Sequence, residues 1–207
     1  SAKALAAAQN VRSASVGRLL DIAEEDNRTL VVSEWVDAEG IDEVVEWTGH
    51  RLPVGRAAAF FCQVAETLQQ CHAAGLIHGD LKPQNILVPR GGSFQRAVIA
   101  DFGIAAVLAD SNVGAKGEGL VPNLHYRAPE QLMSPKILTP DVDAYALGAV
   151  LYHLLTGRPP FPGDDPQAVV QGHMTREPAR PALLNPEVPD ALSDVVLALL
   201  AKDPFAR

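Results

Sequence analysis

The feature that most constrains this chain is a pair of polar segments, His78-Gly79-Asp80-Leu81-Lys82-Pro83-Gln84-Asn85 and Asp101-Phe102-Gly103. They place two carboxylates, an amide and a lysine around apolar residues that predict a short hairpin. Phosphoryl transfer needs such a set, because one carboxylate orients the attacking hydroxyl, further oxygen ligands hold Mg²⁺ and a cation offsets charge on the phosphoryl group. The alternative interpretation is that Asp80 and Asp101 are only turn residues, as Asp often is.

The order and spacing of the two segments resemble the catalytic loop and the metal-binding triplet of the protein kinase family. Ala128-Pro129-Glu130 resembles the triplet that closes the kinase activation segment. Residues 143–148 and 155–161 resemble the start and the exit of the large buried helix of the kinase C-lobe. The resemblance begins near Val16 and is strongest to bacterial Ser/Thr kinases with a eukaryote-like fold.

This resemblance implies an α+β fold of the protein kinase type, with a mainly α-helical C-lobe and a partial N-lobe sheet. We expect residues 1–34 to be a remnant of the N-lobe, comprising the end of its regulatory helix and its last two strands. Residues 35–207 would form the hinge and a C-lobe that is incomplete at its C-terminus. The family's Gly-rich loop, strand lysine and partner glutamate have no counterpart in the chain, so we expect a piece of a larger kinase that is inactive alone.

The resemblance also implies roles for individual side chains. Asp80 would be the catalytic base, which orients the substrate Ser or Thr hydroxyl and accepts its proton late in the reaction. Lys82 would neutralise charge on the γ-phosphate of ATP, and a lysine at this position is typical of Ser/Thr kinases. Asn85 and Asp101 would bind the Mg²⁺ of the nucleotide, an ion that prefers hard oxygen ligands.

The segment Glu34-Trp35-Val36 would be the hinge, where members of the family bind adenine through backbone groups. Glu34 and Val36 are therefore candidate ATP-binding residues. For Trp35 the sequence leaves two interpretations open, a residue of the adenine site or a packing residue.

Other matched positions are predicted to be structural. His78 and Phe102 match the hydrophobic column that links the lobes of active kinases, and Asp143 would accept hydrogen bonds from backbone amides of the catalytic loop. Glu130 and Arg207 would form a buried ion pair, since the resemblance joins the glutamate of the Ala-Pro-Glu triplet to an arginine of the final segment.

The chain also departs from the family pattern. Gly79 stands where the family usually has an arginine that receives a phosphate on the activation loop, and Ser111 is the only hydroxyl side chain between Ile104 and Pro122. We therefore expect no activation by phosphorylation of this loop. Asn123 replaces the threonine that usually contacts the catalytic base, which puts substrate positioning in doubt.

Periodicity and turn residues predict the local elements. A hairpin is expected from 17–22 and 29–35, with Asp26 and Asn27 in its turn. Helices are expected at 1–10, 41–47, 55–74, 144–155, 167–174 and 190–201. Short strands are expected at 76–78, 86–88 and 98–100, and loops at 91–93 and 107–122. Gly75 is expected to end the helix at 55–74 in a left-handed conformation. Asp190 is expected to be the N-cap of the helix at 190–201.

Composition narrows the choice of partners. The 17 basic and 25 acidic residues give a net charge of −8, which argues against nucleic acid or an anionic membrane surface as the main partner. Cys62 and Cys71 are expected to be core residues of one helix, not a disulfide or a metal site, which suits a cytoplasmic protein. No run approaches the roughly 18 apolar residues of a membrane span, although a tether outside this chain is possible. The expected partners are ATP and proteins carrying Ser or Thr.

Two alternative functions remain at this point. The first is a pseudokinase that scaffolds or binds partners, which Gly79 and Asn123 favour and which Asp80, Asn85 and Asp101 oppose. The second is a small-molecule phosphotransferase of the aminoglycoside or choline kinase type, which shares the His-Gly-Asp sequence. That class lacks the Ala-Pro-Glu triplet and the Leu-Thr-Gly-x-x-Pro-Phe exit found here.

Overall fold

The computed structural model describes residues 13–25, 28–90, 96–102, 104–105 and 124–207. The described strands are β1 (Leu19–Glu25), β2 (Arg28–Ser33), β3 (Ala38–Gly40), β4 (Ile86–Pro89) and β5 (Val98–Ile99). The described helices are α1 (Ile41–Trp47), α2 (Val54–Ala73), α3 (Pro129–Met133), α4 (Pro140–Thr156), α5 (Pro166–Thr175), α6 (Pro181–Leu184) and α7 (Asp190–Leu199). Short 3₁₀ turns lie at Pro83–Asn85, Leu124–Tyr126 and Pro204–Ala206.

The described strands form two small antiparallel sheets. Strands β1 and β2 pair in one sheet, as the sequence predicted, and their turn residues Asp26 and Asn27 lie outside the described part. The second sheet has the order β3-β4-β5, and it places the strand that follows the loop 78–85 beside the strand that precedes Asp101. A bridge between Val16 and Ile99 connects the start of the described chain to this second sheet. The division into residues 1–34 and 35–207 stays a prediction.

Helix α4 is the centre of the core. Its side chains are buried on nearly every face, as its all-apolar sequence predicted, and α2 and α7 pack against it. Gly148 permits the close approach of α7, because a Cβ atom there would lie 2.6 Å from the Cβ of Leu199. The helix begins at Pro140, a residue suited to a first turn, and ends at Gly157 in a left-handed conformation. This buried helix carries Asp143 in its first turn.

Several local predictions were wrong. Residues 76–78 are not a strand, because the amide of His78 donates to a side chain instead of a neighbouring strand, and β5 ends at Ile99. Pro189, not Asp190, occupies the N-cap of α7. Cys62 is exposed while Cys71 is buried, since nine positions correspond to two and a half helical turns and place them on opposite faces of α2.

Two short helices that begin with proline were not predicted from the sequence. Helices α3 and α6 were missed, and each begins with a proline at its first position, where the absent N–H costs no hydrogen bond. The helix expected at 1–10 and the loops expected at 91–93 and 107–122 lie outside the described residues. In the described ranges no helix is both long enough and apolar enough to span a membrane.

Candidate active site

Asp143 holds the start of the catalytic loop, residues 78–85. This carboxylate is fully buried and accepts hydrogen bonds of 2.8 Å from the backbone amides of His78 and Gly79. A third bond of 2.8 Å joins it to Nε2 of His72 on α2. Burial and the nearby carboxylate raise the pKa of the Cys71 thiol to about 11, which keeps that thiol protonated. The predicted role of Asp143 as an acceptor for the loop amides is confirmed.

His78 joins the two polar segments. Its ring packs edge-on against Phe102 with centroids 4.8 Å apart, and both side chains are buried. Its Nδ1 accepts from the amide of Asp80 at 3.2 Å, so Nε2 carries the proton and donates to the carbonyl of Ala100 at 2.9 Å. His78 therefore has a structural role, as predicted, and it fixes Asp80 relative to Asp101.

The Asp80 side chain lies between two cations. Lys82 Nζ is 2.7 Å from Asp80 Oδ2, and Arg127 Nη2 is 3.4 Å from Asp80 Oδ1. The backbone is also held, because Asn85 Nδ2 donates to the carbonyl of Asp80 at 3.0 Å. The Asp80 side chain is 31% exposed, so a substrate hydroxyl can still reach it.

Arg127 is the site residue that sequence reasoning missed. It directly precedes the Ala-Pro-Glu triplet, but the sequence separation from Asp80 hides their contact. The one signal in the sequence that could have pointed to Arg127 is its positive charge at the end of the activation segment. Its Nε atom is buried and has no hydrogen-bond partner in the described part of the chain.

Asn85 and Asp101 offer suitable ligands for a magnesium ion. Asn85 is buried and its Nδ2 donates to the carbonyl of Asp80, which leaves the side-chain oxygen as the atom that could bind a metal ion. The amide of Ala100 donates to the carbonyl of Asn85 at 2.9 Å. Because Asp101 is the next residue after Ala100, this bond brings the backbones of the two candidate ligands together. Asp101 has φ of 63°, an uncommon conformation for a residue with a side chain. Two oxygen donors fit Mg²⁺, which usually takes one or two protein ligands and completes its shell with phosphates and water.

The hinge segment is held by Arg18 at its first residue. The amide of Glu34 donates to the carbonyl of Arg18 at 2.8 Å, and its carboxylate lies 3.4 Å from the Arg18 guanidinium. Within the described ranges, the backbone groups of Val36 form no hydrogen bond. Trp35 is 89% exposed, so its interpretation as a packing residue was wrong.

Gly79 has no room for a side chain. Its φ is 75°, and a Cβ atom there would collide with Leu138 Cδ2 and lie 2.9 Å from the Cβ of Ala105. Its carbonyl accepts a hydrogen bond of 2.8 Å from Gln131 Nε2 on α3. The space that an arginine side chain would enter is thus occupied, and α3 is tied directly to the catalytic loop.

The predicted pair of Glu130 and Arg207 is confirmed. Arg207 Nη1 lies 2.6 Å from Glu130 Oε1, and Arg207 Nη2 lies 3.0 Å from Glu130 Oε2, a bidentate geometry. The Arg207 side chain is fully buried and its guanidinium lies 4.7 Å from the centre of the Tyr145 ring.

A comparison with protein families supports the same interpretation. The model for the protein kinase domain matches residues 3–207, nearly the whole chain. The chain therefore belongs to the protein kinase family, and the α+β fold predicted from the sequence is confirmed.

Individual relatives are bacterial proteins named as serine/threonine-protein kinases. The chain is 33% identical to a probable serine/threonine-protein kinase of Clostridium perfringens over 99% of its own length and 29% of the relative. It is 32% identical to PrkC of Bacillus subtilis over 91% of its length and 28% of the relative. It is 36% identical to PknB of Mycolicibacterium smegmatis over 89% of its length and 29% of the relative. The chain thus spans under a third of each of these proteins.

Proposed function

We propose that the protein transfers the γ-phosphate of ATP to Ser or Thr hydroxyls of protein substrates. The observation that carries this proposal is the anchored Asp80, held on a loop fixed by Asp143 and paired with Lys82. Such a carboxylate, kept partly exposed beside a cation, is what the orientation of a substrate hydroxyl requires.

In the proposed mechanism Asp80 accepts a hydrogen bond from the substrate hydroxyl and directs its oxygen toward the phosphorus atom. The proton passes to Asp80 late, as the new O–P bond forms and the bond between the γ-phosphorus and the bridging oxygen breaks, so that ADP leaves. Lys82, 2.7 Å from Asp80, offsets negative charge on the transferred group. The two side chains thus act on the two reactants, the hydroxyl and the phosphoryl group.

We assign ATP and Mg²⁺ as cofactors on the donor chemistry of the site. Asn85 and Asp101 would hold Mg²⁺, which supplies charge neutralisation for the phosphates. Glu34 and Val36 would bind adenine through backbone groups, which suits the backbone of Val36 since it has no other partner among the described residues. A cytoplasmic site for the reaction is part of this proposal, because ATP is the donor and both cysteines are free thiols.

The alternatives receive less support. A pseudokinase needs none of the contacts that orient Asp80, yet His78, Lys82 and Asn85 all constrain it. A small-molecule phosphotransferase needs no surface for a peptide, yet α3, which ends the activation segment, is held at both sides. Gln131 ties it to the catalytic loop, and the Glu130–Arg207 pair ties it to the segment after α7. The relatives are named as protein kinases.

The decisive experiment is a transfer assay on the full-length protein with radiolabelled ATP, Mg²⁺ and a peptide array. We expect label on Ser and Thr peptides that disappears when Mg²⁺ is chelated. Label on an added aminoglycoside or choline alone would favour the small-molecule alternative. Binding of peptides without any transfer would favour the pseudokinase.

We also predict that activity does not depend on phosphorylation of the activation loop. Gly79 offers no guanidinium to receive a phosphate, and Ser111, which lies outside the described residues, is the only hydroxyl side chain from Ile104 to Pro122. Phosphatase treatment and Ser111→Ala should each leave the rate of peptide phosphorylation within about twofold of the untreated protein, well under the tenfold that corresponds to 1.4 kcal/mol. Loss of most activity after either treatment would contradict the prediction.

A further inference from the structure

We propose that Arg127 is a positioning residue that holds the Asp80 carboxylate in the orientation needed for phosphoryl transfer. The inference rests on the proposed function and adds a residue to it. Its basis is that Arg127 Nη2 contacts Asp80 Oδ1 at 3.4 Å while Lys82 Nζ contacts Asp80 Oδ2 at 2.7 Å.

Each carboxylate oxygen of Asp80 therefore faces a different cation. A carboxylate held by Lys82 alone can still rotate about its terminal bond, a torsion with a broad energy well. A second contact on the other oxygen fixes the plane of the group. Because Oδ1 has two lone pairs, it can accept from Arg127 and still accept from a substrate hydroxyl.

Arg127 is itself held by the end of the activation segment. Its amide donates to the carbonyl of Leu124 at 3.3 Å, and the next residue, Ala128, is fully buried. The preceding Tyr126 is fixed by a bond of 2.6 Å between its hydroxyl and Nδ1 of His153 on α4. Burial lowers the pKa of His153, which keeps the ring neutral and Nδ1 free to accept.

The guanidinium is only 20% exposed, which limits its alternative positions. Within the described part of the chain, its Nε has no hydrogen-bond partner, and Asp80 is the only carboxylate in ion-pair contact with it. Gly79 leaves the catalytic loop without a guanidinium of its own next to Asp80. Arg127 thus makes the orientation of Asp80 depend on the correct placement of residues 124–128.

The test is steady-state kinetics of the full-length protein with Arg127→Gln, Arg127→Lys and the control Arg158→Gln, whose side chain is exposed. We expect Arg127→Gln to lower kcat about 10- to 100-fold, the scale of a misplaced catalytic group, with KM for ATP unchanged. Arg127→Lys keeps the charge but loses the planar guanidinium with its several donors. Its kcat should therefore lie between those of wild type and Arg127→Gln, and at least threefold below wild type. Added guanidinium ion should partly restore Arg127→Gln, which a merely structural role would not produce.

The outcomes separate this inference from the proposed function. Wild-type protein that transfers no phosphate would overturn the proposed function and the role of Arg127 together. Active wild-type protein with unchanged kcat in either folded Arg127 variant would overturn the role of Arg127 alone. If Arg127→Gln does not fold, Arg127→Lys decides the question through its kcat. A loss confined to KM for ATP would also count against a role in positioning Asp80.

Discussion

Asp80→Asn lowers the rate of phosphate transfer by about 10²–10⁴-fold and leaves ATP binding intact, which is the largest effect on activity that we expect. The amide that replaces the carboxylate can still accept a hydrogen bond but cannot take the proton from the substrate hydroxyl. In either orientation the new NH₂ group faces Lys82 or Arg127, and both of these side chains offer only donors. ATP binding should persist because Asn85 and Asp101 are unchanged.

The measurement is kcat with radiolabelled ATP, combined with ATP affinity by calorimetry and the thermal midpoint. Asp164→Asn is the matched control, because it makes the same chemical change at an exposed position. A variant of Asp80 that retains a near-parental kcat would remove the residue from the mechanism. An equal loss of ATP affinity would instead indicate that the variant has disturbed the nucleotide site.

The sequence predicted those parts of the site that lie within one continuous segment. Asp80, Lys82 and Asn85 occupy a single loop, and the bonds from Lys82 and Asn85 to Asp80 span two and five residues. The resemblance to the kinase family added Asp143 and the Glu130–Arg207 pair, whose partners are far apart in the chain. Without that resemblance, neither periodicity nor spacing could have paired them, because both describe neighbours in sequence only.

The misses have a common physical origin. Residues 76–78 have the composition of a strand, but tertiary contacts bring Asp143 to the amide of His78, and none of the described strands pairs with this segment. Arg127 lies beside Asp80 because α3, which follows it directly, packs against the catalytic loop through the bond of Gln131 to Gly79. Local propensity is weak compared with such packing, so the interactions that decided these positions were invisible in the sequence.

The largest effect on stability is expected for the ion pair of Glu130 and Arg207. Breaking a buried pair by removing one partner costs roughly 3–5 kcal/mol, because the other charge stays in the interior without compensation. Arg207 also donates to the carbonyls of Ala201 at 2.8 Å, Asp141 at 3.0 Å and Lys202 at 3.3 Å. Its guanidinium thus joins α3, the start of α4 and the segment after α7.

The two partners should therefore differ in cost. Glu130→Gln leaves the guanidinium with three carbonyl acceptors, whereas Arg207→Leu deprives those carbonyls and Glu130 of their donor. We expect the free energy of unfolding, measured by urea denaturation, to fall more for Arg207→Leu than for Glu130→Gln. The double variant should lose less than the sum of the two, since it leaves no buried unpaired charge. Arg18→Gln, which breaks an exposed pair with Glu34, should change stability far less. Equal, small losses for Arg18→Gln and Arg207→Leu would show that the buried pair contributes no more to stability than an exposed one.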